Sequence, residues 1–271
     1  MGRVATAKRV LRTQGTAGVA SAFKDRYLNN WMGRGVNWCY GKALEIRGNT
    51  IEIEGCSFGL DSRAITTESK SKFMFNQYER PEREAVRQFV DPALPVVEFG
   101  GSIGVVSCLT NRKLRDPQQH VVVEANPELV PLLLRNRDRN RCHFIVLPRL
   151  VAYGYEQAPF YASAANFAIG SGTAPERGFE VRVTSVATID LRSIVEENRF
   201  ERCTVICDIE GGEFDLVRHE SQILKERVET LILEVHEWAA SKERVIELFR
   251  DIAGLGFRTV FSEGDTYTFQ K

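Results

Sequence analysis

From Pro81 onward, short apolar runs alternate with segments of helical spacing. Pro95 to Phe99, His120 to Glu124, Phe144 to Leu147, Cys203 to Asp208 and Thr230 to Val235 are apolar stretches of strand length. Such runs mark strands buried on both faces. Between them, Pro81 opens a helix through Val90 with Ala85, Val86 and Phe89 inward, and a second helix runs to about Leu114. Asn126 and Pro127 supply the N-cap and first position of a helix reaching Asn140, whose first turn Pro131 is expected to distort. A helix from Ser241 to Ala253 turns Val245, Ile246, Phe249 and Ile252 inward and stops at Gly254. Phe257 to Phe261 and Thr266 to Phe269, joined by Ser262-Glu263-Gly264-Asp265, predict a closing hairpin. Alternating strands and helices predict a parallel sheet covered on both faces. The antiparallel ending is not that of a plain dinucleotide-binding fold.

The N-terminal part follows another pattern. Val19, Phe23, Tyr27 and Trp31 recur at intervals of four, one stripe of an amphipathic helix that is a packing face and a route to a homodimer. Leu44, Ile46, Ile51 and Ile53 alternate around Gly48-Asn49, which reads as a hairpin. Residues 1–72 therefore read as an accessory arm of helix and hairpin, and 73–271 as the main domain. The stretch 148–187 is irregular, with a hairpin expected near Pro159-Phe160-Tyr161.

Composition narrows the class. In 271 residues, 43% are hydrophobic and 27% charged, enough apolar surface for a core and too much for a disordered chain. No apolar run approaches the roughly 18 residues of a membrane helix, and the N-terminus lacks a signal peptide's apolar segment. A soluble, cytoplasmic protein is expected. The charges balance at 36 against 36. Residues 1–47 nevertheless hold nine Lys and Arg against Asp25 and Glu45. Docking of this basic arm on the acidic body is the simpler reading. A nucleic-acid partner is disfavoured, because basic and aromatic residues are not interleaved as stacking surfaces require. The six cysteines show neither CxxC nor Cys/His ligand spacing, which argues against structural zinc and a disulfide framework.

The candidate chemistry gathers at strand ends. Glu98-Phe99-Gly100-Gly101-Ser102-Ile103-Gly104 places glycines between a buried strand and a helix N-terminus, where a ligand can approach the backbone. The G-G-x-x-G spacing is not the dinucleotide fingerprint. The carboxylate of Glu98 disfavours a pyrophosphate and favours an ammonium or sulfonium group. Glu124, ending the next strand, is placed to accept two hydrogen bonds from a ribose diol. Together they indicate a nucleoside-bearing cofactor without phosphates, which S-adenosylmethionine fits. Asp208-Ile209-Glu210-Gly211-Gly212-Glu213 ends the fourth strand, and Glu234, His236 and Glu237 end the fifth beside it.

These segments, with Val123-Glu124-Ala125-Asn126-Pro127, Thr188-Ile189-Asp190-Leu191 and Tyr78-Glu79, resemble the FkbM-family methyltransferases over roughly residues 73–270. The resemblance implies an α/β, Rossmann-like class I methyltransferase sheet of seven strands, the last antiparallel, behind an N-terminal extension. It also implies S-adenosylmethionine as cofactor, held by Tyr78, Glu98, Gly100, Gly101, Ser102, Gly104, Glu124, Ala125, Asn126 and Asp208. Gly101, Ser102 and Gly212 replace the family's usual alanine, asparagine and alanine, all small for small. The implied reaction is methyl transfer to a hydroxyl of a sugar or other secondary metabolite. His236 is the first candidate base, followed by Asp208 and Glu210. Asp208, Glu234 and His236 also form a less favoured cation set, similar to that of catechol-type methyltransferases, although Mg²⁺ prefers oxygen ligands. His120, His143 and His219 read as structural or exposed. The alternatives are an RNA or protein methyltransferase using the basic arm, a non-catalytic cofactor-binding scaffold, and an NAD-dependent oxidoreductase.

Overall fold

A computed structural model of the chain describes residues 35–163 and 181–271, apart from 63, 68, 74–77 and 237–238. The Val19/Phe23/Tyr27/Trp31 stripe and Glu237 lie outside the described residues.

The described chain begins in helix α1, over 35–46. It continues through β1 (Thr50–Ile53), β2 (Cys56–Gly59), α2 (Arg80–Phe89), β3 (Val96–Phe99), α3 (Val105–Lys113), β4 (His120–Val123), α4 (Val130–Arg139) and β5 (Ile145–Leu147). Next come β6 (Leu150–Val151), β7 (Gln157–Ser163), β8 (Val181–Ile189), α5 (Leu191–Glu197), β9 (Cys203–Cys207), α6 (Glu213–His219) and α7 (Ser221–Arg227). The last elements are β10 (Val228–Glu234), α8 (Lys242–Gly254), β11 (Arg258–Glu263) and β12 (Thr266–Gln270).

Seven strands form the central sheet in the order β11-β12-β10-β9-β3-β4-β5. The pairs among β10, β9, β3, β4 and β5 are parallel. β12 is antiparallel to both of its neighbours. This is the expected Rossmann-like class I methyltransferase sheet, with its last strand reversed. Alternate residues of each strand enter opposite layers. Val97, Phe99, Val205, Leu231 and Leu233 pack under Ile194, Leu216, Leu224, Leu248 and Ile252 from α5 to α8. Val96, Ile206 and Ile232 face the other way, onto Ala85, Val86 and Val106 of α2 and α3.

The β1–β2 hairpin joins the body through a shared core in which Ile53 and Phe58 pack with Ile103, Leu132 and Phe144. Buried Asn136 clasps this junction. Its side-chain amide donates to the carbonyls of Gly59 and Ile103 at 3.2 and 2.8 Å, and its oxygen accepts from Gly59 N at 2.8 Å.

Several expectations are corrected. Leu44 and Ile46 belong to α1, not to a strand; Leu44 is buried and Ile46 is 86% exposed. Gly48 and Asn49 have positive φ and close the helix, with their amides donating to the carbonyls of Glu45 and Leu44. The hairpin therefore turns later, at Glu54-Gly55. α4 starts after a turn in which Asn126 Oδ1 accepts from Glu128 N. Pro131 thus lies in the first turn, where its missing N–H breaks no helical hydrogen bond. The antiparallel pairing expected near Pro159-Phe160-Tyr161 is present, with these residues inside β7, which pairs with β8 as a long ribbon. In α8, Leu248 takes the core position expected of Ile246, which is 68% exposed.

Candidate active site

The glycine loop is shaped by the strand ends around it. Asp208 N donates to Phe99 O at 2.9 Å, extending the β3–β9 ladder by one step. That brings the Asp208 carbonyl so close to Gly100 that a Cβ there would lie 1.8 Å from it. Gly100 has φ +95°, and Gly104, the N-cap of α3, has φ +89°. Ser102, between them, is left-handed at φ 46° despite its side chain. Its amide donates to Glu124 Oε2 at 2.6 Å, and its hydroxyl lies 3.0 Å from the Tyr78 hydroxyl.

Glu124 is buried at the end of β4, where its second oxygen accepts from Asn126 N at 2.6 Å. Burial lifts its carboxyl pKa to about 7, against the lowering effect of the amides of Asn126, Ser102 and Ala125. The two oxygens of a carboxylate offer about four acceptor positions, and the amides of Ser102, Asn126 and Ala125 leave one for a ligand.

A cavity of about 450 Å³ opens over these strand ends. Among the expected site residues, Tyr78, Gly100, Ser102, Glu124, Ala125, Asn126, Asp208 and Glu210 line it together. The β6–β7 region closes one side with Leu150, Tyr153, Tyr155 and Phe160, and His219 stacks on Tyr153 at 4.6 Å. Gly101 and Gly104 lie beneath the loop instead, where a Cβ would meet Leu133 and, at Gly101, Val122.

Two expected side chains are placed elsewhere. Glu98 points into the layer behind the sheet, bonded to the Ser107 hydroxyl and to His120 Nε2 at 3.1 Å, and does not line the cavity. Strand alternation sends it to the face opposite Val97 and Phe99. His120 is accordingly a fully buried partner of Glu98. His143 and His219 are exposed. His236 also lies off the cavity wall, behind Asp208 and Glu210. Its Nδ1 is 3.0 Å from Glu213, and its Nε2 is 3.2 Å from Glu210, 3.7 Å from Asp208 and 3.9 Å from Glu234. Burial lowers its pKa, but the Glu213 hydrogen bond and the charges of Glu213, Glu210 and Glu234 outweigh that and raise it to about 9. At neutral pH the ring carries a proton, so it is not poised to accept another.

The floor of the site is acidic. Burial, then Glu210, Glu82, Glu79 and Glu213, push the Asp208 carboxyl well up, and its Oδ1 has no hydrogen-bond partner. Glu234 is raised to about 10 by burial and by Asp208 and Glu82. Ligand atoms of Asp208, Glu234 and His236 lie within 4.8 Å of one another, so the expected cation set does converge. His236, protonated, already supplies a positive charge there.

Sequence reasoning missed Glu213, which has no exposed surface and accepts from the amides of Ile209 and Gly211 as well as facing His236. Its place one turn past Asp208 in the acidic motif was the available signal. Tyr153 and His219 come from segments with no readable pattern.

No protein-family model and no curated protein sequence matches the chain. Solved structures similar to it include an S-adenosylmethionine-dependent methyltransferase, described as putative, from Streptococcus mutans, at 10% identity and TM-score 0.46, covering 82% of this chain and 55% of that one. An O-methyltransferase from Bacillus cereus in complex with SAH is 13% identical at TM-score 0.41, covering 72% and 80%. A ribosomal protein L11 methylase from Lactobacillus delbrueckii subsp. bulgaricus is 9% identical at TM-score 0.42, covering 73% and 78%. None of these three reaches a TM-score of 0.5. No helix among the described residues is long and apolar enough to cross a membrane.

Proposed function

We propose that the chain is an S-adenosylmethionine-dependent methyltransferase of the FkbM type, acting on a hydroxyl of a sugar or other small secondary metabolite. The observation that carries this reading is Glu124: a buried strand-end carboxylate strapped to the glycine loop through Ser102 N, facing the cavity with an acceptor position unused. Such a position suits a hydroxyl of a ribose. The absence of a phosphate-type G-x-G-x-x-G loop and the acidic floor favour a cationic nucleoside over a dinucleotide.

When bound, S-adenosylmethionine supplies a methyl group on an electrophilic sulfonium. The protein's part is alignment and proton removal. Gly100 lines the cavity with backbone alone, and Glu210 faces it with the negative charge that a sulfonium prefers, beside Asp208, whose buried carboxyl holds its proton. Of these two acids, Glu210 is the one that takes the proton of the acceptor hydroxyl. His236 orients them from behind and is a positioning residue in this scheme, not the base. Tyr153 and Tyr155 on the β6–β7 wall are the acceptor-facing surface, and the acceptor is a small molecule or glycan rather than a nucleic acid.

Calorimetric titration with S-adenosylmethionine, S-adenosylhomocysteine and NAD⁺ in parallel tests the reading. Binding of the first two and not the third is the expected result. Binding of NAD⁺ alone overturns it.

A further inference from the structure

Cys108 and Cys142 bring two thiols together beneath the glycine loop, away from the cavity. Cys108 lies in α3 one turn after Gly104, and a Cβ on that glycine would stand 3.9 Å from its sulfur. Cys142 follows α4, where Arg141 takes a left-handed φ of 54°. The amides of Arg141 and Cys142 donate back to the carbonyls of Asp138 and Arg137 at 3.1 and 3.0 Å. This paired bond ends a helix by folding the chain back over its last turn. The Cys142 sulfur thereby reaches α3, 3.7 Å from the Cys108 carbonyl. The Cys108 sulfur lies 3.8 Å from both the Asn136 carbonyl and Asn140 Nδ2. The two thiols hydrogen-bond each other, and they are unlike. The Cys108 hydrogen bond, then the charges of Arg112 and Arg137, draw the Cys142 thiol down against its burial. The same hydrogen bond and burial push the Cys108 thiol up. A sulfur inclined to ionise beside one that keeps its proton is the arrangement of a reactive dithiol. The neighbouring Cys56 on β2 is held differently, by Arg112 Nη1 donating to it at 3.1 Å, and burial raises its thiol.

We propose that Cys108 and Cys142 form a peroxide-reactive dithiol that closes to a disulfide and reopens with a thiol reductant. This chemistry stands apart from methyl transfer and needs no cofactor. The Cys142 thiolate attacks one oxygen of a hydroperoxide; the O–O bond breaks, hydroxide leaves, and a sulfenic acid remains on Cys142. The Cys108 sulfur then displaces that hydroxyl as the S–S bond forms, and its proton departs with the hydroxyl as water. Two thiols and one hydrogen peroxide thus give a disulfide and two waters, with two electrons passing from sulfur to oxygen. A dithiol returns the electrons by exchange. Cys142 keeps 5% of its surface open and Cys108 none, so the oxidant meets Cys142 first.

The folded full chain is treated with hydrogen peroxide, its remaining thiols are blocked with iodoacetamide in denaturant, and the unreduced digest is mapped by mass spectrometry. The expected product is a Cys108–Cys142 disulfide that dithiothreitol reverses, with Cys56, Cys203 and Cys207 still free. Oxidation confined to the exposed Cys39 overturns the proposal. So does a Cys56–Cys142 disulfide, or a Cys108–Cys142 link that forms only after denaturant has opened the protein. The order of attack is read in two variants. In Cys108→Ser no second thiol resolves the first product, so Cys142 should persist as a sulfenic acid that dimedone traps. In Cys142→Ser, Cys108 should take up no dimedone. The reverse labelling, or none in Cys108→Ser, overturns the assigned order. The wild-type map uses no variant, so it decides the pairing even if a serine in this core unfolds the chain.

Discussion

Glu213 and His236 face each other at 3.0 Å between a carboxylate oxygen and Nδ1, and the same carboxylate fixes the turn that carries Glu210. Glu213 accepts from Ile209 N at 3.0 Å and from Gly211 N at 2.9 Å. Glu210, between these anchors, has a left-handed backbone at φ 52°. A single buried acid thus determines both the loop conformation and the charge of the ring behind it. Removing one partner of a buried ion pair costs about 3–5 kcal/mol, because the other is left uncompensated. Glu213→Ala should therefore lower unfolding free energy by about that amount in urea titrations. A loss below about 1 kcal/mol would mean that the pair is not the anchor described.

The same pair sets a pH dependence. His236 has a folded-state pKa of about 9 against an ordinary value of 6.5. The folded protein then holds the proton more tightly than the unfolded chain. The stabilisation is complete below about pH 6.5 and is lost as pH rises through about 9. Glu234, raised to about 10, slopes the same way, so the contribution of His236 is read as a difference. The melting temperature of the wild type should fall more steeply over that window than that of His236→Gln. Parallel curves would show that the ring is neutral in the folded state. The same variant should bind S-adenosylhomocysteine with little change, because His236 does not line the cavity.

Much of this site was legible in the sequence, for a physical reason. In a parallel sheet the carboxyl ends of the strands converge, so Gly100, Glu124 and Asp208 come together once their strands are recognised. The closing hairpin was legible from its turn residues. What failed were choices that short patterns do not determine. Leu44 and Ile46 are two apart, which a helix with one buried and one exposed residue explains as well as a strand does. Glu98 stands at a strand end, yet alternation aims it at Ser107 and His120 behind the sheet. His236 was visible as a strand-end histidine, but the acid that charges it comes from α6, a contact no local spacing encodes.

Glu124 offers a direct test of cofactor placement. Burial raises its carboxyl to about pH 7 in the free protein, and ribose hydroxyls donate best to the ionised form. Ligand binding should therefore favour loss of its proton, and affinity should rise with pH up to about 7 and then level. Glu124→Gln should bind S-adenosylhomocysteine about 10- to 100-fold more weakly above pH 7, as a hydrogen bond to a charged acceptor is lost. It should also lose this part of the pH dependence. Calorimetry of both proteins on either side of pH 7 measures the difference, and equal affinities would move the ribose away from Glu124.

Gly100 has two separate reasons to be glycine, and they can be pulled apart. Its φ of +95° is unfavourable for any L side chain, and a Cβ would also stand 1.8 Å from the Asp208 carbonyl. Gly154 shares the first property, φ +82°, but a Cβ there meets nothing within 4 Å. Gly154→Ala should thus cost only the backbone term, about 1 kcal/mol. Gly100→Ala must in addition spread β3 from β9, because the obstructing atom is backbone and has no rotamer by which to retreat. A total near 2–4 kcal/mol follows from adding overpacking of about 1–3 kcal/mol to the same backbone term of about 1 kcal/mol. Urea midpoints of the two variants give the comparison directly. If Gly100→Ala proves no more damaging than Gly154→Ala, the strand ends have room to part, and the loop is not held at the close approach on which the cofactor platform depends.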